Sequence, residues 1–129
     1  MNGETGKSNN CDYPNLVLAF LGDAYFELLV RERIVKNSPG SSADHSREAL
    51  SYVTAASQSL AVERLLPHLT LEEEAVFRRG RNAKSPHTPR SATKLDYRRA
   101  TGLEALFGWL YIKGETTRAV QLFDLSFPL

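Results

Sequence analysis

Residues 18–27, LAFLGDAYFE, set the pair Gly22-Asp23 in the middle of an otherwise apolar run with no turn signal. Val17, Leu21, Ala24 and Leu28 repeat at helical spacing, so the run reads as a helix. Pro14 suits its first turn. The turn formers of 37–42, NSPGSS, end it, which predicts a helix over about 14–36. Glycine costs a helix interior about 1 kcal/mol relative to alanine, and aspartate is also a weak helix former. A helix that keeps both has another use for them. Gly22 permits close approach of a second backbone or a ligand. Asp23 places a carboxylate on a greasy face, and Glu27, one turn on, projects from the same side. Two carboxylates so spaced form half of a divalent-cation site. Equally, they are solvated residues on the polar edge of a core helix.

The rest of the chain continues the helical pattern. A second helix starts near Ala43 or Asp44. It carries Leu50, Val53, Ala56, Leu60 and Leu65 on one stripe until Pro67 stops it. Thr70-Leu71-Glu72-Glu73 is a capping box that opens a third helix, to about Arg79. Gly80, Pro86 and Pro89 make 80–93 a loop. A fourth helix covers about 94–112, with Leu103, Leu106, Phe107, Leu110 and Tyr111 apolar and Gly114 as its stop. Trp109 joins Phe107 and Tyr111 as core by the same spacing. A last helix covers about 115–124. No stretch alternates with period two, so the fold class is all-α, with about five helices. The 129 residues suit one domain: a polar tail at 1–13, then a folded unit over 14–129. The single cysteine, Cys11, rules out a disulfide framework or a cysteine-based zinc site within one chain. His45, His68 and His87 lack partners at a helical metal spacing. Asp23 and Glu27 interrupt the apolar run, so it is no membrane span. The N-terminal residues carry neither the apolar core nor the arginines of a targeting peptide.

Net charge is only +1, but it is unevenly spread. Arg78, Arg79, Arg81, Lys84, Arg90, Lys94, Arg98 and Arg99 are eight of the 16 Lys and Arg residues, with Asp96 the one acid among them. Arginine forks and lysines suit phosphate oxygens, and Ser85, Thr88, Ser91 and Thr93 add hydrogen-bond donors. Such a concentration favours nucleic acid or another polyanion over a merely solvated loop. Glu104 is the second acid of interest. It lies in ATGLEALFGWLY, residues 100–111, among Gly102, Ala105 and Gly108, and shares a face with Thr101 and Gly108. Glu104 either pairs with Arg98 or Arg99, or converges with Asp23 on one metal ion where two helices cross. The second arrangement, beside a basic patch, means metal-assisted hydrolysis of a phosphodiester.

Three segments carry a family resemblance. FLGDA, residues 20–24, resembles the signature helix of the ribonuclease III family, and LEALFG, residues 103–108, resembles its second acidic motif. RGRNAKS, residues 79–85, is similar to the loop of the short, single-domain branch of that family, Mini-ribonuclease III, and residues 43–57 follow the branch in outline. The resemblance implies an all-α, homodimeric endonuclease that cuts double-stranded RNA with Mg2+, or with Mn2+ in its place, leaving a 5′ phosphate. Asp23 and Glu104 are then the catalytic, metal-binding carboxylates. Longer relatives carry acids where this chain has Ala19 and Thr101, as the short branch does not; Glu27 is the candidate to make up part of that deficit. With no room for a separate RNA-binding domain, the catalytic unit itself must hold the duplex. Arg78, Arg79, Arg81, Asn82, Lys84, Ser85, Lys94 and Arg98 are the expected contacts. The branch's role implies a precursor of large-subunit (23S) ribosomal RNA as substrate, presented with or without a ribosomal protein. The implied location is a bacterial cytoplasm, ahead of a plastid. The alternative is a catalytically inactive duplex-RNA-binding protein of the same fold. The two missing acids motivate it, and the retention of Asp23 and Glu104 argues against it.

Overall fold

The computed structural model describes residues 13–84 and 93–129. These form six α-helices and no strand: α1 Asn15–Asn37, α2 Ser42–Val53, α3 Ala55–Leu65, α4 Leu71–Asn82, α5 Lys94–Ile112 and α6 Thr116–Ser126, with a 3-10 turn at Leu66–His68. Most of the tail expected at 1–13 lies outside the described residues, as do Cys11, Ser85, His87 and Arg90. No helix among the described residues is long and apolar enough to cross a membrane.

Helix α5 is the axis. Between Ala100 and Leu110 every residue is buried except Glu104. Helices α1, α3, α4 and α6 pack around it. Leu103, Leu106, Phe107 and Leu110 are fully enclosed, and the Phe26 ring of α1 meets Phe107 edge-on at 5.6 Å. Each such side chain stabilises the fold by about 1.5–3 kcal/mol.

Glycines set the tightest crossings. A Cβ on Gly22 would overlap the carbonyl oxygen of Glu104 and lie 2.7 Å from the Gly108 nitrogen. A Cβ on Gly108 would in turn overlap the Leu18 carbonyl oxygen. Helices α1 and α5 therefore touch backbone to backbone. Gly80 and Gly102 do the same for α4 and α5: a Cβ on Gly80 would sit 2.7 Å from that of Ala105 and 3.1 Å from the Gly102 Cα.

Four local expectations are corrected. Helix α1 buries Leu18, Ala19, Gly22, Tyr25, Phe26, Leu29 and Val30, so the stripe through Val17, Ala24 and Leu28 faces outward. A helix apolar all round offers no unique face to periodicity. The second predicted helix is two. Thr54 takes extended backbone angles and its hydroxyl caps α3 by accepting from the Ser57 N–H at 3.2 Å. The change of direction leaves Leu50 and Leu60 exposed and buries Gln58, Ser59, Ala61, Val62 and Leu65 instead. Helix α4 runs on to Asn82, because Gly80 serves packing against α5 rather than a turn. Tyr111 is half-exposed, its ring 4.9 Å from that of Tyr25.

The capping box at Thr70 and Glu73 is present as expected. Its Glu73 carboxylate also receives a two-pronged hydrogen bond from Arg118 of α6, at 2.8 and 2.9 Å. A second box, Ser41 with Asp44, opens α2. Gly114 follows the end of α5 with φ +75°, a left-handed angle that suits glycine.

Candidate active site

The α1–α5 crossing determines where two acids meet. Gly22 rests on the backbone of Glu104, and Asp23 is the next residue along α1. Their carboxyl groups are hydrogen-bonded to each other across the crossing. Asp23 is exposed and Glu104 half-buried. Burial, then the negative charge of Asp23, then the hydrogen bond that protonated Glu104 donates to this neighbour push the Glu104 carboxyl up to about 8. At neutral pH it keeps a proton that an ordinary glutamate has lost. The Gln58 side chain of α3 acts on Glu104 in the opposite direction.

Glu104 and Gln58 open on a cavity of about 490 Å³. Its other walls include Thr54 and Ala55 at the α2–α3 break and Asp96 and Thr101 on α5. The Thr101 hydroxyl is turned back onto the Tyr97 carbonyl oxygen, 2.9 Å away.

The remaining candidates separate from this pair. Glu27 forms an ion pair with Arg31 at 3.4 Å and lines a different cavity, between α1 and α2. Among the described residues, no three His, Cys, Asp or Glu side chains gather to hold a metal ion. Two hard carboxylate donors side by side, one forced to keep its proton, nevertheless suit a divalent cation. Its charge would let both ionise. Arg99 binds Glu63 at 3.0 Å and Ser59 at 3.2 Å, so it is not the counter-ion of Glu104.

The basic residues lie on the surface of α4 and at the start of α5. Arg78, Arg79, Lys84, Lys94 and Arg98 are exposed, as is their neighbour Asn82, and Arg81 is partly so. Arg81 donates to the Asn82 side chain at 3.2 Å. The Gly80–Gly102 contact joins this surface to the helix that carries Glu104. Ser85 lies outside the described residues. Gln58 escapes a reading of the sequence, since a lone glutamine in a Ser- and Ala-rich stretch carries no local signal. Its one cue is the Thr54 break, with a hydroxyl residue three positions ahead of Ser57.

The helices gather about α5, and two acids meet at the glycine crossing of α1 with it. The ribonuclease III domain matches residues 16–115, and the chain belongs to the ribonuclease III family. It is an endoribonuclease of that family. It is similar to Mini-ribonuclease 3 of Symbiobacterium thermophilum, 44% identical over 92% of this chain and 92% of the relative. The Mini-ribonuclease 3 of Thermoanaerobacter sp. is also 44% identical, over 86% of this chain and 78% of its own. A solved structure of a Fusobacterium nucleatum protein superposes with a TM-score of 0.78 at 31% identity, covering 88% of this chain and 90% of that one.

Proposed function

We propose that the chain is a Mg2+-dependent endoribonuclease for double-stranded RNA, with Asp23 and Glu104 as its catalytic carboxylates. The observation that carries this reading is the meeting of Asp23 and Glu104 where Gly22 brings α1 against the Glu104 backbone of α5. Asp23 and Glu104 would hold the ion, and Mn2+ has the same preference for hard oxygen donors. The ion supplies Lewis-acid stabilisation of charge on the phosphodiester. Asp23 faces solvent, where a bulky duplex can reach it, while Glu104 anchors the site against the core. Glu27 is left to its ion pair with Arg31 and is at most an outer contributor.

Arg78, Arg79, Arg81, Asn82, Lys84, Lys94 and Arg98, with Ser85 beyond α4, form the proposed RNA-binding surface. A-form duplexes are held mainly through phosphates and 2′-hydroxyls, so shape outweighs sequence in the choice of substrate. The relatives named Mini-ribonuclease 3 support a ribonuclease reading. The proposed substrate is a 23S ribosomal RNA precursor in the bacterial cytoplasm, with a ribosomal protein able to present it. A homodimer through the outer face of α1 is part of the proposal. Phe20 is 82% exposed there and Leu28 60%, large apolar groups that a water-facing helix seldom aligns.

The test is incubation with the precursor RNA, with Mg2+ or with chelator, alongside Asp23→Asn. Discrete cuts that need both Mg2+ and Asp23 are expected. Intact RNA that still shifts on a native gel would replace the nuclease reading with that of a non-cleaving binder.

A further inference from the structure

We infer that Asp96 is a specificity-determining residue: its carboxylate accepts a hydrogen bond from a ribose 2′-hydroxyl seated in the cavity that opens beside Glu104. The inference rests on the reading of the chain as a nuclease for double-stranded RNA and names the part of the substrate that this cavity takes.

Three helices start in the same way, with a hydroxyl residue as cap and an acid at the third helical position. Ser41 and Asp44 open α2, and Thr70 and Glu73 open α4. In both, the backbone N–H of the cap donates back to the acid, at 3.0 and 2.9 Å. Thr93 and Asp96 open α5. The Thr93 hydroxyl accepts from the Asp96 N–H at 3.1 Å, but the Asp96 carboxylate does not close the box. It lines the cavity of about 490 Å³ instead. Lys94, Arg98 and Arg99 are close in sequence, yet among the described residues no cation pairs with it, and Arg99 is held by Glu63 and Ser59. The carboxylate is left partly exposed, with its lone pairs open to a donor from outside the chain.

The lining of the cavity limits what can enter. It includes Asp96, Glu104 and the hydroxyls of Thr54, Thr93 and Thr101, with no lysine or arginine. A phosphate there would face the charge of Asp96 without a counter-ion. Lys94 and Arg98 are exposed on the same stretch of α5 and suit phosphates outside the cavity. A strand that runs from these cations to Glu104 must therefore turn an uncharged part inward. In a duplex the bases are paired inside, and the sugars are what lies between phosphates. An A-form helix displays its 2′-hydroxyls along the wide minor groove. A carboxylate accepts from such a hydroxyl, and deoxyribose would leave its oxygens unpaired. Asp96 precedes Glu104 by eight residues on α5, about 12 Å along a helix axis. The ribose that it reads thus lies near the scissile phosphate but not on it.

The test uses the full chain and a synthetic RNA duplex that the wild type cuts at one mapped bond in Mg2+. Deoxyribonucleotides are placed one at a time at the positions flanking that bond. Cleavage is measured as kcat/KM for the wild type, Asp96→Ala and Asp96→Leu, two variants without an acceptor, each first checked for helical circular dichroism. One deoxy position should slow the wild type by about tenfold or more, as the loss of a hydrogen bond to a charged group does. In either folded variant the penalty at that position should shrink to about twofold or less. A wild type indifferent to every deoxy substitution overturns the inference without any variant. So does a penalty unchanged in a folded variant, or faster cutting of ribose and deoxyribose duplexes alike, the mark of a mere charge brake; in these cases the nuclease reading stands. An all-ribose duplex that the wild type binds and never cuts overturns that reading and the inference with it.

Discussion

Asp23 and Glu104 are costly neighbours. Like charges at close quarters, one of them half-buried, oppose folding whenever both ionise. The free glutamate titrates near 4.5 and the folded one at about 8. Below the lower value both states carry the proton and no penalty exists. Between the two values the unfolded chain has released a proton that the folded chain still holds, so stability falls as pH rises through this window. Glu104→Gln, which cannot ionise, should therefore melt at nearly the wild-type temperature at pH 4.5. By about pH 8, in chelator, it should melt higher by roughly 3–6 °C, the shift that about 1 kcal/mol produces in a domain of this size. Added Mg2+ should erase the difference by stabilising only the wild type, while cleavage by the variant stays abolished. Scanning calorimetry at the two pH values checks the sign. A wild type more stable than Glu104→Gln in chelator at the higher pH would remove the strain assigned to the pair.

At the scale of helices, glycine decides the architecture. Gly22→Ala drives a methyl group into the Glu104 carbonyl oxygen, which is backbone and cannot rotate away. Helices α1 and α5 must separate, at a cost of about 3 kcal/mol or more, and cleavage should vanish with the geometry. Urea denaturation of the variant, read with its nuclease rate, tests both parts. Thr54→Ala removes the cap of α3 and should cost about 1 kcal/mol. Much at this scale is legible in the sequence. The limits of α5, the Thr70–Glu73 box and the stop at Gly114 all have local chemical signatures, and each stands where its signature lies. The features that are not legible have one origin. Leu50 and Leu60 read as a single stripe when spacing is carried across Thr54, whose turn depends on a hydroxyl bond rather than on a Gly or Pro. The packed face of α1 cannot be told from the outer one by periodicity, because both are apolar and only the partner helix distinguishes them. Gly80 has the signature of a turn and instead makes a contact. The Asp23–Glu104 meeting is readable as a family pattern, but the place of Gln58 in the same cavity as Glu104 comes from tertiary structure alone.

For the whole molecule, the outward face of α1 and the cationic face of α4 and α5 make separate demands. Phe20→Asp places a charge on the apolar face without touching the core, since Phe20 is almost fully exposed. It should convert a dimer to a monomer in light scattering while the helical circular dichroism is kept. A dimer that persists would move the interface elsewhere. Arg79→Glu together with Arg81→Glu should weaken duplex-RNA binding and lower the slope of log affinity against log salt by about one for each phosphate left unneutralised. Equal slopes for variant and wild type would take these arginines out of the RNA-binding surface.

The backbone seam between α1 and α5 also has a meaning in time. Synthesis delivers α1 before α5, and the domain folds as a unit. Until α5 arrives, Asp23 lacks Glu104 and α1 lacks the helix against which most of its inner face packs. On the proposed assignment of the catalytic pair, a half-made chain carries the first acid and much of the arginine-rich surface but lacks the second acid. Under that proposal, cleavage waits on the completion of the core.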